Sequence, residues 1–157
     1  MDNLDTQLIL QNLQHINKES NFMINNNIKI NKVLKCGSIQ MVMGHKLNIN
    51  HFGAIYAGSI YSLAQQAGKF AIYSFQKEKV VVQIKKSEIQ YLIPGKRDLY
   101  VEIKINNNEQ QKIIQEVNEH GKSNITLEFD IKEQNGTVVS KFKGHYIIEK
   151  KQNMPKL

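Results

Sequence analysis

The segment from Ile55 to Gln76 constrains the fold more than any other part of the chain. It is rich in alanine, isoleucine and aromatic residues and contains no proline. Plotted at 100° per residue, its apolar side chains cover well over half of the circumference. The polar side chains form one narrow stripe, which consists of Ser59, Ser62, Gln66, Lys69, Tyr73 and Gln76. A surface helix needs an apolar face only about 100° wide. The pattern therefore predicts a long central helix, over about residues 55–76, that the rest of the chain wraps on most sides.

The residues before this segment predict one helix and one hairpin. Leucine and isoleucine recur at helical spacing near the N-terminus, which predicts a helix over about residues 4–17. Apolar and polar residues alternate from Ile28, and a second apolar run covers residues 38–43. Because alternation with a period of two is typical of a half-buried strand, these runs predict two paired strands.

The residues after the central segment predict four strands and one short helix. The strand-like runs are 80–93, 99–105, 125–131 and 138–148. A helical pattern over 109–120 interrupts them and ends at Gly121, a typical C-cap residue. Asn135-Gly136 is the strongest two-residue hairpin signal. The order of elements predicts a single α+β domain over residues 1–157, in which an antiparallel sheet wraps around one long central helix.

Composition and charge exclude several classes of protein. The net charge is +7, but 20 lysines accompany a single arginine and are spread along the chain. Nucleic-acid binding favours arginine and a clustered basic face, so we expect no nucleic-acid partner. No apolar run approaches the length of a membrane span, and no secretory signal begins the sequence, so we expect a cytoplasmic protein without a membrane partner. With Cys36 as the single cysteine, no intrachain disulfide can form and no zinc site is expected; we expect Cys36 to pack as a small hydrophobic residue.

The sequence at the entrance of the central helix carries a family resemblance. Residues 48–59 resemble the pattern N-x-N-x-x-G-T-x-F-x-G-S, with alanine at the threonine position and tyrosine at the aromatic position. Further matches are Leu63-Ala64, Ala67-Gly68, Tyr91-Leu92-Ile93-Pro94, Gly121-Lys122 and the segment 142–146. With these motifs in this order, the chain resembles proteins of the hotdog fold. More narrowly, it resembles the thioesterase domain named after the YiiD C-terminal region.

The resemblance implies a substrate class and an assembly. Its members act on acyl thioesters of coenzyme A or of acyl carrier protein, so coenzyme A enters only as part of the substrate and no separate cofactor is expected. It also implies a homodimer, often a dimer of dimers, with the acyl chain between two subunits beside the central helix. Since the family domain also occurs fused to an N-acetyltransferase domain, a separate acyltransferase is a further partner that the resemblance implies.

The same resemblance implies a set of site residues. Asn50 would position a water molecule or hold the thioester carbonyl, and Gln65 stands where related thioesterases have a catalytic carboxylate. The backbone amides of Ala57 and Gly58 would stabilise the oxyanion, because a helix N-terminus presents free N–H groups. The residues expected to contact the substrate are His51, Gly53, Tyr56, Ser59 and Ser62. No metal ligand is expected.

Gln65 leaves two interpretations of function open. An amide cannot accept a proton from water at neutral pH, and no acidic residue lies between Ala54 and Gln76. A base for hydrolysis would come from Glu88, His51 or His45, or from another subunit. The alternative is a module that binds acyl-coenzyme A or acyl carrier protein without cleaving it. Asn50 and Gln65 also have structural interpretations, as a turn former and as a residue facing solvent or a second subunit.

Overall fold

The computed structural model describes residues 3–34, 38–76 and 80–151, so Cys36 lies outside the described residues. It contains four helices and six strands within these ranges. In chain order they are α1 (Asn3–Lys18), α2 (Asn21–Asn25), β1 (Ile28–Val33), β2 (Ser38–Met43), α3 (Ala57–Tyr73), β3 (Val80–Tyr91), β4 (Leu99–Lys104), α4 (Asn107–His120), β5 (Lys122–Glu133) and β6 (Val138–Lys150).

The six strands form one antiparallel sheet in the order β1-β2-β4-β5-β6-β3. The strands β1 and β3 are its two edges. β3 follows α3 in the chain but pairs with β6, the last strand, from Val80 opposite Lys150 to Tyr91 opposite Ser140. β3 is the first strand after α3 and β6 is the last, so the sheet closes around α3 only when these two strands pair.

The helix α3 lies in the concavity of this sheet and contacts β2, β3, β4, β5 and β6. Its apolar side is fully buried, and every residue from Ser59 to Gln76 is buried or half-buried. The inward-facing side chains of the strands join these residues in one hydrophobic core. The predicted α+β architecture, an antiparallel sheet wrapped around one long helix, is thus confirmed.

The ends of the central helix differ from the prediction. Apolar periodicity extends it over 55–76, whereas α3 spans Ala57–Tyr73. Ile55 and Phe75 are buried and fit the helical pattern, but the backbone N–H of Ile55 donates to the carbonyl of Gly95 at 2.8 Å. Apolar periodicity indicates which side chains are buried, but it does not indicate which hydrogen bond each backbone group forms. The prediction therefore extends the helix too far at both ends.

The edge strand β3 contains an irregularity that determines which side chains face α3. Its register with β6 shifts between Ile84 and Lys86. Before the shift Val82 and Ile84 face the core, and after it Ser87 and Ile89 do, opposite Gly144 and Phe142. A bulge of this kind reverses the alternation beyond it. Glu88 consequently lies on the outer face of the sheet.

Capping residues explain where the shorter helices begin and end. The Ser20 hydroxyl accepts from the Met23 N–H at the start of α2, a short helix that the sequence analysis does not predict. The side chain of Asn106 accepts from the Glu109 N–H at the start of α4. α4 ends at Gly121, which has a φ of 72°. No helix in the described part of the chain is both long enough and apolar enough to cross a membrane.

Candidate functional site

The loop before α3 is built around the side chain of Asn50. Its Oδ1 accepts hydrogen bonds from the backbone N–H of Phe52 at 2.9 Å and of Ala54 at 3.2 Å. Gly53 closes the turn with a φ of 76°, a conformation that favours glycine. Asn50 is therefore a turn former. Its Nδ2 donates to no partner within the described residues, so this nitrogen can donate a hydrogen bond to a ligand.

A second asparagine, Asn48, fastens this loop to the rest of the fold. Its side chain is only 4% exposed, and its Nδ2 donates to the carbonyls of Asn26 at 2.7 Å and Gly44 at 2.8 Å. Its own backbone carbonyl accepts from the N–H of Tyr56 at 2.8 Å. Asn48 thus determines where α3 begins. Sequence reasoning gave it no role, although its place in the matched pattern was a signal.

The N-terminus of α3 has no side-chain cap. Tyr56 occupies the N-cap position with extended backbone, and no side chain there accepts a bond from the helix. The carbonyl of Tyr56 accepts from the N–H groups of Ser59 and Ile60. The N–H groups of Ala57 and Gly58 have no partner in the described part of the chain, and both residues are exposed. Two adjacent donors at the positive end of a helix suit an anionic oxygen.

Gln65 lies farther along α3, on the half-buried side of the helix. Seven residues separate it from Gly58, which corresponds to about 10 Å along the helix axis. Ser62, one turn after Gly58, donates its hydroxyl to the Gly58 carbonyl at 2.8 Å. Ser59, also predicted to contact substrate, is half-buried at the start of the same helix. The backbone positions of Gln65 and Gly58 are therefore about 10 Å apart along the axis, and no hydrogen bond joins the Gln65 side chain to the two free amides within the described residues.

Three tyrosine hydroxyls fasten α3 to β3 and β6. Tyr91 donates to the carbonyl of Ala57 at 3.1 Å, and Tyr146 donates to the carbonyl of Gln65 at 3.3 Å. Tyr61 shares a hydrogen bond of 2.8 Å with Ser87. Burial, followed by the nearby Tyr61, raises the pKa of both Tyr91 and Tyr146 above the usual value for tyrosine. The hydroxyls of Tyr91 and Tyr146 are therefore donors that hold the helix in place.

The three candidate bases differ in where the structure places them. Glu88 lies on the outer face of the sheet, 3.4 Å from the ammonium of Lys86, so the interpretation of Glu88 as a base beside its own α3 is wrong. His45 is held inside the loop, because its N–H donates to Asp98 at 2.8 Å and its Nε2 lies 3.2 Å from the Gly53 carbonyl. His51 is exposed, and its ring packs on that of Phe52 with centroids 3.9 Å apart.

An exposed apolar surface surrounds the start of α3. Phe52 is 82% exposed and Tyr56 62% exposed. This apolar rim, as we call it, consists of Leu47, Ile49, Phe52 and Tyr56 from the loop, Tyr91 at the end of β3, and Leu92 and Ile93 directly after it. Clustered exposed apolar side chains mark sites of protein or ligand contact. The rim flanks the two free amides, so a ligand that reaches them also meets apolar surface.

Comparisons with solved structures show which fold this is. A Pseudomonas aeruginosa protein described as a probable thioesterase has a TM-score of 0.78 and 22% identity, over 88% of this chain and 94% of that one. A Chlorobaculum tepidum protein of unknown function has a TM-score of 0.84 and 18% identity, over 93% and 97%. A Haemophilus influenzae thioesterase has a TM-score of 0.70 and 15% identity, over 90% of each chain. At these identities the likeness shows the hotdog fold that the sequence predicts.

Comparisons of sequence show the family. No protein of curated function matches the chain at a significant level of similarity. A family model described as "Putative thioesterase (yiiD_Cterm)" matches residues 19–150, which cover most of the chain and include every predicted site residue. The chain therefore belongs to this YiiD C-terminal thioesterase family.

Proposed function

We propose that the protein hydrolyses acyl thioesters of coenzyme A or acyl carrier protein. The observation that carries this proposal is the uncapped start of α3, where the N–H groups of Ala57 and Gly58 are free and exposed after the loop that is built around Asn50. Nucleophilic attack on a thioester carbonyl places negative charge on its oxygen, and oriented donors stabilise that charge. The apolar rim offers a surface for an acyl chain at the same place.

The reaction we propose is addition of water followed by loss of the thiol. The carbonyl oxygen accepts from the two free amides and from Asn50 Nδ2. The oxygen of water bonds to the carbonyl carbon, a base takes the proton, and the carbon–sulfur bond then breaks so that the proton leaves with the thiolate. Of the candidate bases, we propose His51, because it follows Asn50 in the sequence and its exposed ring has no hydrogen-bond partner among the described residues.

A second copy of the chain completes this site. Gln65 of the same chain lies about 10 Å from Gly58 along the helix, so the Gln65 that orients the water comes from another subunit. The exposed apolar rim and the free edge of β3 give such a subunit a surface to cover. We therefore propose a homodimer, either alone or as half of a dimer of dimers.

The test of hydrolysis is release of free thiol from short, medium and long acyl-coenzyme A by the purified protein. We expect turnover in the native protein and its loss in an Asn50→Ala variant. An Asn106→Ala variant is the matched control, since it removes an asparagine cap from α4, away from the free amides. Equal turnover in the native protein and in Asn50→Ala would contradict the proposed site.

The second candidate function is binding of acyl thioesters without hydrolysis. It is favoured by one observation, that α3 carries glutamine where a carboxylate would act and has no acidic residue. A Gln65→Asp variant tests it: if the native protein binds acyl-coenzyme A without cleaving it and Gln65→Asp gains hydrolysis, the site is a competent pocket without a base. Recovery of acyl carrier protein or an acyltransferase in a pull-down would then identify the partner that receives the acyl group.

A further inference from the structure

Lys69 differs from every other lysine in residues 3–34, 38–76 and 80–151. All the others are exposed, whereas Lys69 is half-buried. It lies on α3, one turn beyond Gln65 on the same side of the helix. The other lysines are spread over the surface, which argues against a specific role for most of them. This argument does not apply to Lys69.

The cation of Lys69 has no ion-pair partner in the part of the chain that the structure describes. The ion pairs of the described lysines lie on α4 or on the strands, including Lys86 with Glu88 and Lys143 with Glu128. The helix α3 itself carries no acidic residue. A subunit that covered this side of α3 would take the unpaired cation of Lys69 out of water at a cost in free energy, which a bound anion would offset.

The position of Lys69 relates it to the free amides at the start of the helix. Gly58, Ser62, Gln65 and Lys69 follow one another at spacings of three or four residues, so they line one side of α3. Lys69 lies about 17 Å beyond Gly58 along the axis. Because helical side chains lean toward the N-terminus, its ammonium is expected closer to the free amides than its Cα is. A ligand extended along this side meets polar groups and then a cation.

We propose that Lys69 binds an anionic group of the substrate at a distance from the thioester carbonyl. This inference rests on the proposed function, and it narrows the substrate class to thioesters that carry such a group within reach along α3. Two sources share this chemistry: a carboxylate that ends the acyl group, as in the thioester of a dicarboxylic acid, and the phosphate of the phosphopantetheine arm. The polar side chains between Gly58 and Lys69 suit either one better than a long unbranched hydrocarbon.

The experiment compares matched thioesters in the native protein and in three full-length variants. Suberoyl and octanoyl thioesters, and adipoyl and hexanoyl thioesters, differ only in the terminal carboxylate. Each is prepared on coenzyme A and on N-acetylcysteamine, which has no phosphate. Lys69→Met removes the charge and keeps an unbranched helix-forming side chain, and Lys69→Arg keeps the charge. Lys104→Met is the control, since Lys104 is exposed on β4. Thiol release is measured as kcat/KM, and the dissociation constant is measured where no thiol is released.

A carboxylate source predicts that the native protein prefers the dicarboxylic thioester on both carriers by about tenfold or more, the effect of one charged hydrogen bond. Lys69→Met loses this preference and Lys69→Arg keeps it. If the anionic group is the phosphate, we expect Lys69→Met to weaken the cleavage or binding of every coenzyme A thioester by a similar factor. The values for the N-acetylcysteamine thioesters would then stay unchanged. Either result supports the inference.

Two results would overturn it. If Lys69→Met matches Lys104→Met on every thioester while the native protein binds or cleaves them, Lys69 binds no substrate anion and the proposed function stands alone. If the native protein neither binds nor cleaves any of the thioesters, the proposed function fails and this inference fails with it. Thermal unfolding of each variant shows whether the folded state survives, and Lys69→Gln, which also removes the charge, replaces Lys69→Met if that variant does not fold.

Discussion

The ring and hydroxyl of Tyr146 lie directly against the backbone of Gly68. A methyl group added at Gly68 would overlap the Tyr146 hydroxyl and approach its Cε2 to 2.7 Å. Tyr146 is fully buried on β6, so its ring has no space into which to retreat. The absence of a side chain at position 68 therefore sets how closely α3 approaches the sheet.

We predict that Gly68→Ala destabilises the protein, although alanine is the better helix former by about 1 kcal/mol. Overpacking of a close contact costs about 1–3 kcal/mol, so the free energy of unfolding in urea is expected to fall. Gly58→Ala is the matched control on the same helix, because its added methyl would lie 3.5 Å from Tyr56 Cδ1, an ordinary contact. A Gly68→Ala protein as stable as Gly58→Ala would show that Tyr146 can move aside.

Two substitutions of Asn50 separate its turn-forming role from its proposed donor role. An aspartate in its place would keep an oxygen for the N–H groups of Phe52 and Ala54 but would lose the amide donor. We expect Asn50→Asp to retain stability within about 0.5 kcal/mol and to lose about 10²-fold or more in kcat/KM, the effect of removing one oxyanion donor. Asn50→Ala loses both. Hydrolysis by Asn50→Asp at the native rate would rule out the donor role.

Adding a cap to α3 is expected to stabilise the helix and impair the site. In Tyr56→Ser, the new hydroxyl can accept from the N–H of Gly58 or Ser59, as Ser20 does at the start of α2. Tyr56→Ala removes the same exposed ring without supplying a cap. We predict that the serine variant is more stable than the alanine variant by about 1 kcal/mol and has the lower kcat/KM. The reverse order of activity would mean that the free amides do not contact the substrate.

The buried tyrosines predict a loss of stability at alkaline pH. Burial raises the pKa of Tyr146 above its usual value, and the pKa values of Tyr73 and Tyr91 are raised by the same cause. A raised pKa in the folded state means that the stabilisation is complete below the unfolded pKa of about 10 and is lost as the pH rises above it. We expect urea unfolding between pH 8 and 11 to show this decline, and Tyr146→Phe to reduce it. An identical decline in both proteins would assign it to other groups.

Much of the fold follows from side-chain periodicity, because periodicity reports burial. The alternating runs and the apolar width of the central segment predict the strands and the wrapped helix. What periodicity does not report is a backbone hydrogen bond, and this explains the errors at the ends of α3. Ile55 looks helical because it is buried, yet it forms an isolated bridge with Ile49.

Glu88 shows a second limit of the sequence. Extending the alternation of Val80, Val82 and Ile84 would place Glu88 on the same face as these residues, beside α3. The register shift at Lys85 reverses that alternation, so Ser87 faces the helix and bonds to Tyr61. The apolar residues change from even to odd positions between Ile84 and Ile89, so the spacing carries a signal of the bulge, but only the strand pairing shows where it lies. The candidate base on β3 could therefore be rejected only from the structure.

Some features of the candidate site could be predicted from the sequence, and others are visible only in the structure. The resemblance points to Asn50, Ala57 and Gly58, and the structure adds the reason that two of these amides are free, which is the missing cap at Tyr56. The anchoring bonds of Asn48 depend on Asn26 and Gly44, which lie apart in sequence and meet only in the fold. The half-burial of Lys69 is likewise a property of the folded chain, since the helical pattern places Lys69 on the polar stripe of α3.

The pairing of β3 with β6 alone has a consequence for a chain emerging from the ribosome. Tyr91, the last residue of β3, is made about 50 residues before Val138, the first residue of its partner strand β6. At roughly 5–20 residues per second, the nascent chain waits several seconds with β3 unpaired along both sides and one flank of α3 uncovered. A polypeptide cut short before Val138 would keep that hydrophobic flank open permanently. Addition of β6 is therefore the step that pairs β3 and completes the sheet around α3.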